Sequence, residues 1–485
     1  MILQTGAEYT VRARSIGSDG AGVCDINGFV VFTRGLLPGE CANVRITDVR
    51  SSYARAVVQE LRECSADRVV PVCKYFGICG GCDFMHAAYA RELEFKREII
   101  ANAFSRIAGI KNAYIQPVTG DWNLERNDFS QRYRNKGQYA YSDNGFGFRA
   151  AGTRTIVPVS DCLLQKERNA AILTAISDWA ATTDSGGYIP QSAVIRTSEA
   201  SGDILLILRC VSGADALENR AVRRVAVRVG RPVEKPVDRR VEKFADARCF
   251  QALAEILKTQ NPDLRSVVVN MSRADRRVGG GKGNGDNIPL YGDGVMYESV
   301  GPFRFRVSND AFFQVNTKMA EKLYATALDL ADIAPGDRVF DFFCGTGAIS
   351  AFLASRAGSV TGIDSSGEAI EDARENAARN GLSNLTFIKG RAEETAAAFS
   401  RDKARPDLIV LDPPRSGCAG TVIEAIKALG AGRIVYIACD PATLCRDISR
   451  LTAGGVYTVA AVRPIDMFPR TANIETVALL VRTWK

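Results

Sequence analysis

Three residues able to do chemistry stand at the ends of apolar runs in this 485-residue chain. Tyr436-Ile437-Ala438 leads into Cys439-Asp440-Pro441, Val410-Leu411 leads into Asp412-Pro413-Pro414-Arg415, and Glu475 directly precedes the last apolar run, Thr476 to Val481. A thiol beside a turn that can hold a nucleobase permits alkylation of uracil at carbon 5. That carbon is a poor nucleophile until a thiolate adds to carbon 6 and pushes electron density onto carbon 5 as an enolate. A carboxylate must then remove the carbon 5 proton so that the thiolate can leave, and Glu475 is of the right type. Taken singly, Cys439 reads as a small buried apolar residue and Glu475 as a surface charge; only together do they point to catalysis. The single histidine, His86, lies in a different segment, so no histidine base is expected. Cys344, Cys418 and Cys445 are the alternative thiols. A cytosine-directed RNA enzyme would place its cysteine where Arg415 stands. Methylation of an exocyclic amine favours an aromatic residue there, to stack on the base, and is the rival chemistry.

The donor of the methyl group needs its own site. Val339 to Phe343 runs into Cys344-Gly345-Thr346-Gly347-Ala348, an apolar strand feeding a glycine turn and then a helix, Ile349 to Ala357. Gly345 at such a turn lets backbone approach a ligand at the carboxyl ends of the strands. The next strand ends Gly362-Ile363-Asp364, which places a carboxylate about twenty residues on, where it can accept from both ribose hydroxyls. Ser350 occupies the third glycine position of a dinucleotide fingerprint, so S-adenosylmethionine is the expected cofactor.

A second constellation is built from thiols. Cys73, Cys79 and Cys82 are spaced C-x5-C-x2-C around Gly80-Gly81. Three cysteines need a fourth, for which Cys162 has the best local context, with Cys64 and Cys210 as alternatives. Four thiolates suit an iron-sulfur cluster or a structural zinc, and the three-plus-one spacing favours a [4Fe-4S] cluster.

These residues need a scaffold, and strand and helix patterns alternate regularly from Pro335 onward, the signature of parallel strands joined by crossover helices. Strands are expected at Arg338 to Phe343, Ser359 to Ile363, Leu385 to Ile388, Leu408 to Leu411, Arg433 to Ala438, Tyr457 to Pro464 and Thr476 to Val481, the last entering antiparallel. The first sixty residues read as short strands, Tyr9 to Arg14, Gly28 to Thr33, Ala42 to Thr47 and Tyr53 to Leu61, a small β-barrel with Arg12, Arg14, Arg34, Arg50 and Arg55 available to an oligonucleotide. Between them lie a helix from Tyr89 to about Ile107 and mixed strands from Gln138 to about Val300. The fold class is α/β: an N-terminal TRAM/OB-like β-barrel (1–62), a mixed central domain carrying the cysteine cluster (63–310) and a C-terminal class I Rossmann-like methyltransferase domain (311–485).

Composition sets broader limits. The net charge of +7 is mild, but Arg220, Arg223, Arg224, Arg228, Arg231, Lys235, Arg239, Arg240 and Lys243 crowd one stretch, which suits a polyanionic partner. The run Gly279 to Gly285 is expected to be a flexible loop. Thirteen cysteines without a secretory leader or an apolar span indicate a cytoplasmic protein with working thiols.

On these residues the chain resembles the RNA uracil-5-methyltransferase family, specifically its cluster-containing branch acting on 23S ribosomal RNA. The likeness runs through the barrel, the C-x5-C-G-G-C segment, Phe312-Phe313-Gln314-Val315-Asn316, the D-P-P-R turn, Ala438-Cys439-Asp440-Pro441 and Thr471 to Glu475. It implies Cys73, Cys79, Cys82 and Cys162 as ligands of a [4Fe-4S] cluster. It further implies Gln314, Phe343, Asp364 and Asp412 as cofactor contacts, Cys439 as nucleophile and Glu475 as base. The expected protein is a monomer whose partner is RNA, 23S rRNA or alternatively tRNA. Asp364 stands where the family usually has glutamate, and Arg391 where an acidic residue would meet the adenine, leaving that contact to Glu393 or to backbone.

Overall fold

The computed structural model describes residues 3–123, 128–182, 188–212, 239–272, 286–309 and 311–483. Two compact units result, and neither is continuous in sequence. The first comprises Met1–Gly77, Cys82–Ser130 and Lys318–Lys485, the second Ile78–Gly81 and Gln131–Thr317.

The first unit opens with β1 (Glu8–Arg12), β2 (Ser15–Ile16), β3 (Gly22–Ile26), β4 (Phe29–Arg34), β5 (Cys41–Val49) and β6 (Tyr53–Glu63), in one sheet ordered β1-β5-β6-β4-β3-β2. Strict alternation makes these strands: on β5, Ala42, Val44 and Ile46 turn inward and join Val11, Cys24, Val31 and Ala54 in a core. β2 and β3 are two strands beyond the four expected from the sequence, paired with each other across the turn at 17–21. Helix α1 (Tyr89–Arg106) follows, with the two-residue strands β7 (Trp122–Asn123) and β8 (Asp128–Phe129).

The second unit is built on a seven-stranded sheet. Its strands are β9 (Lys136–Ser142), β10 (Gly145–Arg149), β11 (Ile156–Pro158), β12 (Tyr188–Thr197), β13 (Ile204–Ser212), β14 (Leu264–Ser272) and β15 (Asp286–Tyr291). They are ordered β11-β10-β9-β12-β13-β14-β15, and β16 (Val295–Val300) and β17 (Phe303–Ser308) form a separate hairpin. Helices α2 (Asn169–Thr182) and α3 (Arg239–Gln260) bury Ile172, Ile176, Phe250 and Leu253 against Ile195, Leu206 and Val267. The basic residues Arg220 to Lys235 and the run Gly279 to Gly285 lie outside the described residues, and Arg239, Arg240 and Lys243 are described only as backbone of α3.

The remainder of the first unit carries the expected alternation. After α4 (Thr317–Ala331) come β18 (Arg338–Phe342), α5 (Ala348–Ala354), β19 (Ser359–Asp364), α6 (Gly367–Arg379), β20 (Leu385–Lys389) and α7 (Ala392–Arg401). Then follow β21 (Leu408–Leu411), α8 (Gly420–Leu429), β22 (Arg433–Ala438), α9 (Pro441–Thr452), β23 (Tyr457–Ile465) and β24 (Glu475–Arg482). The sheet order is β20-β19-β18-β21-β22-β24-β23, with β24 antiparallel to both neighbours. β21 is buried at every position, as an unbroken Leu-Ile-Val-Leu run must be when helices cover both faces of a parallel strand. This arrangement gathers the carboxyl ends of β18, β19, β21 and β22 on one edge, the edge at which β24 begins.

Candidate active site

Cys439 is the residue between the end of β22 and the start of α9. Its neighbours explain the sharp change of direction. Asp440 caps the helix, its Oδ1 accepting from the Thr443 amide at 2.8 Å, and Pro441 occupies the first turn, where a missing N–H costs nothing. The thiol is thus presented, half-buried, at the sheet edge. Burial, and after it the nearby Glu475 charge, push it up to about 11, and the Arg415 guanidinium pulls the other way. The other thiols are poorer nucleophiles. Cys418 and Cys445 are buried and pushed up to about 12 by that burial, and burial also raises Cys344 well above the ordinary thiol range.

The ladder between β22 and β24 locates Glu475. It pairs Ile437 with Val477 and Ala438 with Thr476; carried one residue further, the register sets Cys439 opposite Glu475. Residues directly opposite in antiparallel strands project from the same face. Glu475 is 4% exposed and pushed up to about 8, by burial first and then by Asp412. His86 plays no part in this arrangement: it is buried, stacked on Phe76 with centroids 5.3 Å apart, and lowered to about 4 by burial.

Asp412 follows β21, with its amide directed at the Phe342 carbonyl at 3.4 Å. Partly open at its rim, it is nonetheless pushed up to about 7 by burial. Two residues beyond the prediction complete this end of the sheet. Arg415, exposed in the same turn, donates to Asn473 Oδ1 at 3.1 Å and so links the D-P-P segment to the loop before Glu475. Its charge acts on Cys439 and Glu475 alike. In the sequence, Arg415 serves only to exclude an aromatic or a cysteine at this place; its charge is the signal for the further role. With Cys439 as nucleophile and Glu475 as base, a reading in which both act deprotonated, Arg415→Gln is expected to move the rising limb of the kcat/KM profile to higher pH by about one unit. An unmoved limb in a variant of normal stability would rule this role out.

At the cofactor end, Phe343 has φ 67° and Gly345 φ 53°, so the chain turns sharply after β18. A left-handed phenylalanine is uncommon, and its amide and that of Cys344 both donate to the Ile363 carbonyl, at 2.8 and 3.1 Å. Space is open where a side chain on Gly345 would project, whereas one on Gly347 would meet Phe387 at 2.8 Å. Asp364 Oδ2 accepts from the Gly345 amide at 3.1 Å and Oδ1 from Ser366 at 2.8 Å, leaving each oxygen a further lone pair. The second residue missed is Asp341, fully buried and pushed up to about 8 by that burial. Ser350, known from sequence only as a non-glycine, donates to its Oδ2, and Oδ1 has no hydrogen-bond partner. The Asp364 and Asp412 carboxyl groups both act on Asp341 here. That environment favours a cationic sulfonium over an anionic pyrophosphate, so these residues fit S-adenosylmethionine. Glu393 is engaged by Arg391 at 2.7 Å. Gln314 belongs to the other unit, where its main-chain oxygen accepts from Asn135 at 2.9 Å.

The cysteine constellation is divided. Cys73 and Cys82 belong to the first unit and Cys79 and Cys162 to the second, all four half-buried. Neither unit alone presents the four-thiolate set, and among the described residues no group of three or more potential ligands converges as a metal site.

Residues 298–483 match the family described as tRNA (Uracil-5-)-methyltransferase, and residues 3–58 match the TRAM domain. The whole chain is similar to an uncharacterized RNA methyltransferase of Caldanaerobacter subterraneus, 33% identical over 99% of both chains. A second, from Halalkalibacterium halodurans, is 32% identical over 99% of this chain and 97% of that one. Among solved structures, Pyrococcus abyssi tRNA (uracil-54, C5)-methyltransferase in complex with S-adenosyl-L-homocysteine shares the fold, with TM-score 0.70 and 22% identity, over 97% of this chain and 99% of that one. No helix among the described residues is long and apolar enough to cross a membrane. With its TRAM domain, its methyltransferase sheet and relatives matched along their whole length, the chain belongs to the RNA uracil-5-methyltransferase family.

Proposed function

We propose that this protein methylates carbon 5 of a uridine in 23S rRNA, with Cys439 as nucleophile and Glu475 as base. The observation that carries the reading is the β22–β24 register, which sets the thiol opposite the one buried carboxyl that opens β24. Bound S-adenosylmethionine supplies an electrophilic methyl group. The Cys439 thiolate, its proton given up to solvent, forms a bond from Sγ to carbon 6 of the uracil, and the π pair moves onto carbon 5 and the carbon 4 carbonyl oxygen. Carbon 5 would take the methyl that bound S-adenosylmethionine would supply, the S–C bonding pair staying with the donor's sulfur. Glu475 accepts the carbon 5 proton; that C–H pair restores the ring double bond, and Sγ leaves with its own pair. Asp412, near its midpoint at neutral pH, can accept from a ring N–H or donate to a carbonyl. Gln314, Phe343, Gly345, Asp364 and Asp412 are assigned to the cofactor, with Asp341 buried beside them.

The TRAM-type barrel and the cysteine segment favour ribosomal RNA, and the protein is taken to be a cytoplasmic monomer divided as 1–62, 63–310 and 311–485. Transfer RNA is the second reading, favoured by the description of the Pyrococcus abyssi enzyme as acting on tRNA. Incubating anaerobically purified protein with labelled S-adenosylmethionine and unmodified 23S rRNA or tRNA, then mapping 5-methyluridine by mass spectrometry, decides between them. Product on one rRNA uridine supports the first reading, and product on tRNA alone replaces it with the second.

The spacing of Cys73, Cys79, Cys82 and Cys162 supports assigning them to a [4Fe-4S] cluster. Anaerobic protein is then expected to contain about four irons and four sulfides per chain with charge-transfer absorption in the visible. Cys79→Ser is expected to lose both. Zinc in place of iron and sulfide would overturn the assignment.

A further inference from the structure

The carboxylate assigned as base sits at the end of a loop with little regular structure of its own. Asp466 to Ile474 joins β23 to β24 without helix or strand, and Arg470 within it adopts φ 72°. Charges hold this loop. Lys96 of α1 donates to Asp466 at 2.7 Å, to Glu92 at 2.8 Å and to the Phe468 carbonyl at 3.2 Å. The Arg470 amide donates to Glu92 Oε1 at 2.7 Å, and its guanidinium to the Ala87 carbonyl at 2.6 Å and to Asp128. Tyr89 closes the set, its hydroxyl donating to Asp466 at 2.9 Å. Lys96, Glu92 and Asp466 are fully buried and Arg470 nearly so.

Apolar side chains of similar volume would join a helix to a loop without the desolvation that four buried charges require. What charges add is direction: each hydrogen bond accepts one geometry, and together they admit one path for the chain. That path matters because Arg470 is followed by Thr471-Ala472-Asn473-Ile474 and then Glu475. The intervening residues are tied as well. The Asp83 and Phe84 amides donate to the Arg470 carbonyl at 2.8 and 3.1 Å, the Ala472 amide to Asp83 at 3.0 Å, and Asn473 receives Arg415. A shift at Arg470 therefore has few residues over which to relax before it reaches Glu475.

We propose that Arg470, fixed by Glu92 and the Lys96–Asp466 pair, is a positioning residue for the base, setting Glu475 where it can take the carbon 5 proton. The inference rests on the catalytic reading above. It predicts a defect confined to the second half of the reaction, because proton removal needs Glu475 in place and thiol addition does not.

The test uses full-length protein with whichever transcript, 23S rRNA or tRNA, the wild type methylates, and the same transcript containing 5-fluorouridine, whose carbon 5 carries no proton to remove. Arg470→Met is expected to slow turnover on the order of 10- to 100-fold. A denaturant-stable protein–RNA adduct should accumulate on the ordinary transcript, as in Glu475→Gln, while trapping on the 5-fluorouridine transcript proceeds at the wild-type rate. Arg470→Lys should recover part of the turnover. If Arg470→Met does not fold, as judged by melting and S-adenosylhomocysteine binding, Tyr89→Phe removes a single hydroxyl from the set and should show the same pattern more weakly. Turnover and both adducts falling together, or no change in any of them, in folded variants would overturn the positioning role alone. Absence of an adduct in Glu475→Gln would instead remove Glu475 as base, and this inference with it.

Discussion

Cys439→Ala is expected to lose methyl transfer by roughly 10⁴-fold or more, because without addition to carbon 6 the uracil carbon 5 has no usable electron density. Two further outcomes distinguish loss of the nucleophile from loss of the fold. The variant should still bind S-adenosylhomocysteine, since the turn at Phe343 to Gly347 and the carboxylate of Asp364 are held by β18 and β19. It should form no adduct with a 5-fluorouridine transcript at any pH. Cys418 cannot substitute, being buried and hydrogen-bonded by the Tyr436 hydroxyl at 3.5 Å. Methylation that survives the substitution would sink the covalent mechanism and restore the amino-group chemistry that the D-P-P turn allows.

Glu475→Gln is expected to reduce turnover roughly 10²- to 10⁴-fold while leaving the first half of the reaction intact. The amide keeps the shape of the carboxyl but cannot accept a proton, so the methylated adduct should persist on ordinary RNA and be visible in a denaturing gel. The pH dependence carries a second signature. Glu475 is raised to about 8, so wild-type turnover should climb as pH rises through that value. The Glu475 charge also raises the Cys439 thiol, so removing it should ease thiolate formation above pH 8 and displace the rising limb of adduct formation to lower pH. A limb that stays in place, with no adduct accumulating, would mean that Glu475 is not within reach of the thiol.

Much of this was legible beforehand. The apolar runs Leu408 to Leu411 and Arg433 to Ala438 coincide with β21 and β22 because a strand buried on both faces is written continuously in its own residues. The motif Cys439-Asp440-Pro441 was equally readable, since a capping aspartate followed by proline starts a helix by local geometry. The place of Asp364 at the end of β19 was readable from its distance beyond the glycine turn. Short pairings were less visible: β2 has two residues, and with β3 it closes only across the turn at 17–21.

The sequence by itself thus determined the order of strands and helices, the residue types at the strand ends and the family they resemble, because these depend on neighbours a few positions away. Only the tertiary structure decided which residues meet. That Cys439 faces Glu475 depends on β24 inserting between β22 and β23 in one register, and a slip of a single residue would turn Glu475 to the other face. That Arg415 reaches Asn473 and that the charges of α1 secure the loop before Glu475 are equally consequences of packing between distant segments. Such contacts leave no period in the sequence, since the partners are brought together by the closure of the sheet and its covering helices and not by their spacing along the chain.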